Sequence, residues 1–146
     1  MVCRKFGRSL VRSDDFALFT TPSIKVALIE DDASCRRATI RLLQAHGFRT
    51  FAYESAEAFL ADRLQARPDC LLLDIQLGGM SGLDLQARLI TEGSALPIVF
   101  FTALEKSSSP ALHHDNTCAG YLSKTEPAEV VLTAIRRAVA CSGTAA

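Results

Sequence analysis

Two hydrophobic patterns take turns along this chain. Largely apolar runs at Ile24-Lys25-Val26-Ala27-Leu28-Ile29, at Cys70-Leu71-Leu72-Leu73, which ends on Asp74, and at Pro97-Ile98-Val99-Phe100-Phe101 read as strands buried on both faces, the kind found inside a parallel sheet. Between them, apolar residues recur at three- and four-residue steps, which predicts amphipathic helices. The first helix spans Ala33 to His46, with Cys35, Ala38, Leu42 and Ala45 inward and Gly47 as its stop. Phe48 to Tyr53 is shorter and more polar, suited to a sheet edge. Ser55 is an N-cap for a helix through Ala66 that turns Phe59, Leu60 and Leu64 inward, and Pro68 breaks it. Ser81 and Asp84 have capping-box spacing for a helix from Leu83 to Thr91, ended by Gly93.

The last third of the chain is less regular. Ser107-Ser108-Ser109-Pro110 and Asp115-Asn116-Thr117 flank a short Ala111-Leu112-His113-His114 core, which predicts a short or mobile fourth helix. Gly120 to Lys124 is a fifth strand. Pro127 suits the first turn of a final helix whose Val131, Ile135 and Val139 recur every four residues. Strand and helix alternate five times without a hairpin signal, and right-handed crossovers then give an α/β fold. The expectation is a five-stranded parallel sheet in flavodoxin-like 2-1-3-4-5 order, (βα)5, with helices on both faces. Residues 1–22 are expected to be a flexible leader, 23–141 the folded domain and 142–146 a disordered tail.

Composition narrows the function. Lys+Arg and Asp+Glu balance at 16 each, so no global basic field argues for nucleic acid. No apolar run has membrane-spanning length, and the N-terminus lacks the apolar core of a secretion signal. Cys3, Cys35, Cys70, Cys118 and Cys141 are scattered and never spaced C-x-x-C, so reduced thiols and a cytoplasmic location are expected. His113 and His114 lack a third ligand at metal spacing and read as surface residues.

The chemistry lies at the strand ends. Asp74 ends the third strand and runs into Gly78-Gly79-Met80-Ser81-Gly82, where open α/β sheets bind their ligands. Glu30 and Asp31 end the first strand, Thr102 the fourth and Lys124 the fifth. Three carboxylates brought together repel one another unless a cation relieves them, and oxygen-only ligands favour Mg²⁺. Asp74 is then free to act as a nucleophile, with Lys124 offsetting charge on an incoming phosphoryl group.

These residues, in this order, resemble the response-regulator receiver domain of two-component signalling, over residues 24 to 141. The resemblance implies that Asp74 is the phosphoacceptor. Asp31 is then the direct Mg²⁺ ligand, Glu30 acts mainly through water, and the backbone carbonyl of Gln76 also binds the metal. Thr102 bonds the phosphoryl oxygen, Lys124 pairs with it, and Tyr121 is the aromatic switch coupled to Thr102. Ser55 to Leu60 is similar to receivers that precede a helix-turn-helix output domain. Two positions depart from the pattern. Gly78 replaces a frequent proline, which implies a more mobile loop. Thr125 replaces the proline of a Lys-Pro pair, which implies a trans bond and a less accurately aimed Lys124.

The resemblance further implies a sensor histidine kinase or histidine phosphotransfer protein as donor. A downstream protein partner reads the signal, and any homodimer uses the face from the fourth to the fifth helix. With only Cys141 to Ala146 after Ala140, a stand-alone receiver without direct nucleic-acid or membrane contact is expected. It is expected not to be an enzyme. Aspartate-nucleophile phosphatases of the haloacid dehalogenase type carry a second aspartate where this chain has Gln76, leaving no general acid. A pseudo-receiver that binds partners without phosphorylation is the other alternative.

Overall fold

The computed structural model describes residues 23–103 and 118–145. Five parallel strands, β1 (Lys25–Ile29), β2 (Arg49–Tyr53), β3 (Cys70–Leu73), β4 (Ile98–Thr102) and β5 (Cys118–Ser123), form one sheet in the order β2-β1-β3-β4-β5. The helices are α1 (Ala33–Ala45), α2 (Ala56–Ala66), α3 (Gly82–Thr91) and α4 (Ala128–Ala145). The flavodoxin-like order expected from the alternation is the one observed. The leader at 1–22, the fourth helix with His113 and His114, and Ala146 lie outside the described residues.

Strand alternation divides the core in two. Val26, Leu28, Cys70, Leu72, Val99, Phe101 and Leu122 face α1 and α4, while Ala27, Ile29, Leu71, Leu73, Ile98 and Phe100 face α2 and α3. Both sets are buried, which is why the central strands read as continuous apolar runs. Edge strand β2 pairs only with β1, in register Lys25 with Arg49 through Ile29 with Tyr53, and is correspondingly more polar.

Several local expectations are met by specific atoms. Ser55 caps α2 by accepting the Ala58 N–H, and Ser81 and Asp84 form the reciprocal capping box of α3. Gly47 and Gly93 take positive φ after α1 and α3. Arg67 closes α2 in the left-handed region just before Pro68.

Other expectations are corrected. The buried residues of α1 are Thr39 and Leu43, whereas Ala38 and Ala45 are exposed. A threonine is tolerated inside because its hydroxyl donates to the Cys35 carbonyl at 2.9 Å. Leu64, expected inward, is 79% exposed, and Ala56, Phe59 and Ala66 form the buried stripe of α2 instead. β5 begins at Cys118 and ends at Ser123, not Gly120 to Lys124. The expected disordered tail from residue 142 is also displaced, since α4 continues through Ala145. No proline interrupts that stretch, and a single Gly143 costs only about 1 kcal/mol of helix propensity. The inward residues of α4 are Val131, Leu132, Ile135 and Ala138, with Val139 packed at the margin.

Candidate functional site

The sheet ladder itself aims the site. Beyond the last paired residues, Glu30 N–H donates to Tyr53 O at 3.0 Å, Asp74 N–H to Ile29 O at 3.2 Å and Lys124 N–H to Thr102 O at 2.8 Å. Parallel register therefore carries all three side chains to the same edge, one residue past strands that are too apolar to slip. Asp74, Glu30 and Thr102 are buried there, and Asp31 is exposed.

Carboxylate oxygens of Glu30, Asp31 and Asp74 lie within 4.8 Å of one another. Lys124 Nζ donates to Asp74 Oδ2 at 2.8 Å and forms an ion pair with Glu30 Oε1. The other oxygens are held locally: Asp74 Oδ1 accepts the Gln76 N–H at 3.1 Å, and Glu30 Oε2 accepts the Asp32 N–H at 3.1 Å. Burial opposes the charge on Lys124, but its bonds to Asp74 and Glu30 outweigh that and hold its pKa above the ordinary lysine value. The trans bond expected before Thr125 is present, since no described peptide bond is cis. With that bond trans, Lys124 reaches both carboxylates.

Three carboxylates face one ammonium, which leaves two negative charges if all are ionised. Donors that are all oxygen, with a charge deficit of two, fit a hard divalent cation. Asp31, exposed at the mouth, and Asp74 and Glu30 inside it are the residues that would hold the ion. Gln76 follows at the exposed start of the next loop. Thr102 ends β4 fully buried beside them, and Tyr121 is half-buried on β5, paired in register with Phe100 and packed on the α2–α3 side of the core. Burial pushes the Tyr121 phenol above its usual pKa.

Three supporting residues had escaped the sequence reading. Asp32 N-caps α1 by accepting from Ser34 N–H at 2.8 Å and Cys35 N–H at 3.2 Å, which holds its carboxyl below the usual range. The acidic triplet is thereby divided: Glu30 inward, Asp31 at the mouth, Asp32 on the helix. An Asp directly before an apolar-periodic segment was the available signal. Gly82 is the second, because a Cβ there would stand 2.3 Å from Asp74 O and 2.9 Å from Ile75 Cα. Only glycine lets α3 start this close beneath the acidic loop. Glu57 is the third: its carboxylate accepts the Met80 N–H at 3.1 Å and pins that loop from α2. No sequence signal marked it, since the two residues are 23 apart.

Fold and site together define a single-sheet α/β domain with a cation-ready acidic pocket at its topological switch point. A family model described as the response regulator receiver domain matches residues 26–136, and the chain belongs to that family. The transcriptional regulatory protein TdiR of Thauera aromatica is 30% identical over 115 residues, covering 79% of this chain and 51% of that protein. Nodulation protein W of Bradyrhizobium diazoefficiens is 38% identical over 77 residues, covering 53% of this chain and 34% of that protein. The chain thus spans a third to a half of the length of these curated relatives. Among solved structures, response regulator StyR superimposes with a TM-score of 0.74 at 28% identity, covering 84% of this chain and 62% of that one. A CheY-like receiver domain protein from Methanospirillum hungatei reaches 0.76 at 16% identity, covering 86% of this chain and all of that one, and shows the shared fold. Among the described residues, no helix is long and apolar enough to cross a membrane.

Proposed function

We propose that the chain is a cytoplasmic phosphoacceptor receiver of a two-component phosphorelay, taking a phosphoryl group on Asp74 from a phosphohistidine donor. The observation that carries this reading is the buried Asp74 carboxylate, with one oxygen on Lys124 and the carboxylates of Glu30 and Asp31 converging on it. A carboxylate oxygen of Asp74 attacks phosphorus, the P–N bond to the donor imidazole breaks, and its electron pair stays on that nitrogen. Lys124, released from part of its bond with Asp74, offsets charge on the transferred phosphoryl oxygens. The Thr102 hydroxyl donates to one of them, drawn from its place at the end of β4. Mg²⁺ held by Glu30, Asp31, Asp74 and the Gln76 carbonyl supplies further positive charge when bound.

The phosphoryl group remains until it is hydrolysed or relayed, so the chain acts as a carrier of a signal and not as a turnover enzyme. Gln76 supports this, because it offers no acid to protonate a leaving group. Donor and reader are a sensor histidine kinase or histidine phosphotransfer protein and a downstream protein partner. Tyr121 couples the site to the outer face of β5 and α4, biasing a two-state surface.

The test is intact-mass measurement after incubation with Mg²⁺ and acetyl phosphate. One phosphoryl group should be added to the wild type and none to Asp74→Asn. Labelling that persists in the variant removes Asp74 from the role, and no labelling of the wild type leaves a pseudo-receiver.

A further inference from the structure

At the end of the sheet opposite the acidic pocket, an open groove of about 300 Å³ lies between α2 and α3. Its walls are apolar: Phe59 and Leu64 from α2, Leu89 from α3, and Pro68 and Leu96 from the turns into β3 and β4. Leu64 stands 79% exposed along it, and among the described residues the next exposed large apolar side chain is Ile90 at 40%. Arg63 and Glu92 are its charged lining residues, and Arg88 shares the Glu92 carboxylate with Arg63. Exposed Arg67, next to Pro68 of the wall, has no ion pair among the described residues, so arginines outnumber carboxylates in this set. Such a surface favours an occupant that is apolar with acidic residues beside it.

The chain enters the fold beside this groove. Lys25 N–H donates to Asp69 Oδ2 at 2.8 Å, and Asp69 N–H donates to Lys25 O at 2.7 Å. The start of β1 is therefore one residue from Pro68 in the groove wall and two from Arg67. Six positions before Lys25 ends the segment Asp14-Asp15-Phe16-Ala17-Leu18-Phe19, two carboxylates followed by three large apolar side chains. Six extended residues span ~20 Å, while the stretch of α2 from Phe59 to Ala66 is only ~10 Å long. The reach is sufficient, with slack for a turn.

We propose that Asp14–Phe19 docks into the α2–α3 groove of its own chain. Phe16, Leu18 and Phe19 cover Leu64 and Leu89, and Asp14 and Asp15 face Arg67 and Arg63. The short tether favours this occupant over the same segment of a second copy, because it holds the segment at an effective concentration of roughly millimolar.

The experiment uses the full chain. Nuclear Overhauser contacts are expected from the Phe16 and Phe19 rings to the Leu64 and Leu89 methyls, independent of dilution. Phe16→Ser with Phe19→Ser, and separately Leu64→Arg, should abolish them and speed amide exchange several-fold in residues 59–66 and 86–96. Leu64 is 79% exposed, so Leu64→Arg keeps the fold. Absence of these contacts, or unchanged exchange in both variants, overturns the proposal. Contacts that vanish on dilution assign the groove to a second copy and overturn it as well.

Discussion

Single atoms decide how the acidic pocket holds together without a cation. Lys124 bridges the two buried carboxylates, Glu30 and Asp74, while Asp31 stays exposed at the mouth. Repulsion at Asp31 is accordingly screened by solvent. Asp31→Asn is expected to weaken Mg²⁺ at least tenfold by titration, yet to shift metal-free stability by no more than about 0.5 kcal/mol in urea unfolding. A large change in metal-free stability would mean that Asp31 is packed against the pair. Glycines in the following loop separate just as sharply. Gly82→Ala places Cβ against the Asp74 carbonyl and should cost about 1–3 kcal/mol, as overpacking does. At Gly78 nothing lies within 4 Å of a Cβ and φ is not positive, so Gly78→Ala should be neutral or stabilise by about 0.4–1 kcal/mol. Equal unfolding midpoints for the two variants would refute this assignment of roles.

At the scale of elements, β3 and the α2–α3 pair give complementary tests. Cys70 sits fully buried in β3, and burial pushes its thiol up to about 12. Alkylation near pH 8 should leave Cys70 unmodified while exposed Cys141 reacts, as read by peptide mass mapping. Modification of Cys70 under native conditions would show that β3 opens locally. Between α2 and α3, Arg88 and then Arg63 hold the Glu92 carboxyl below its ordinary 4.5. A folded pKa below the unfolded one contributes stability above pH 4.5 and loses it as pH falls through the folded value. Glu92→Gln should therefore lower stability slightly in the neutral region and leave it unchanged below the folded pKa, which flattens the acid limb of the stability curve. An acid limb of unchanged slope would mean that the pair is too exposed to matter.

For the whole molecule, cation binding is linked to folding. The unfolded chain cannot bring Glu30, Asp31 and Asp74 together, since 44 positions separate Glu30 from Asp74. Mg²⁺ at about 100 times its dissociation constant should add roughly 2.7 kcal/mol to unfolding free energy. The increment should fall in Asp31→Asn by the amount its affinity falls. A stabilisation that persists undiminished in that variant would place the ion elsewhere.

The order of elements and the location of the pocket were legible because they depend on short-range information. Unbroken apolar runs define buried strands, Ser55 and Ser81 announce their helices, and a polar residue directly after each strand marks the ligand-binding edge. Helix faces were less legible. Leu64 is apolar yet exposed, and Thr39 is polar yet buried, because the neighbouring sheet and an internal hydroxyl bond determine what each helix turns inward. Nor does local chemistry distinguish Glu30, Asp31 and Asp32, whose three roles follow from one strand end and one helix cap. The need for Gly82 and the hold of Glu57 on Met80 arise from residues distant along the chain. Residue type and spacing determined which groups meet at the sheet edge. Only the packed structure decided which carboxylate is buried, which oxygen Lys124 takes, and where backbone must approach backbone, because those depend on atoms that adjoin only once the sheet has closed.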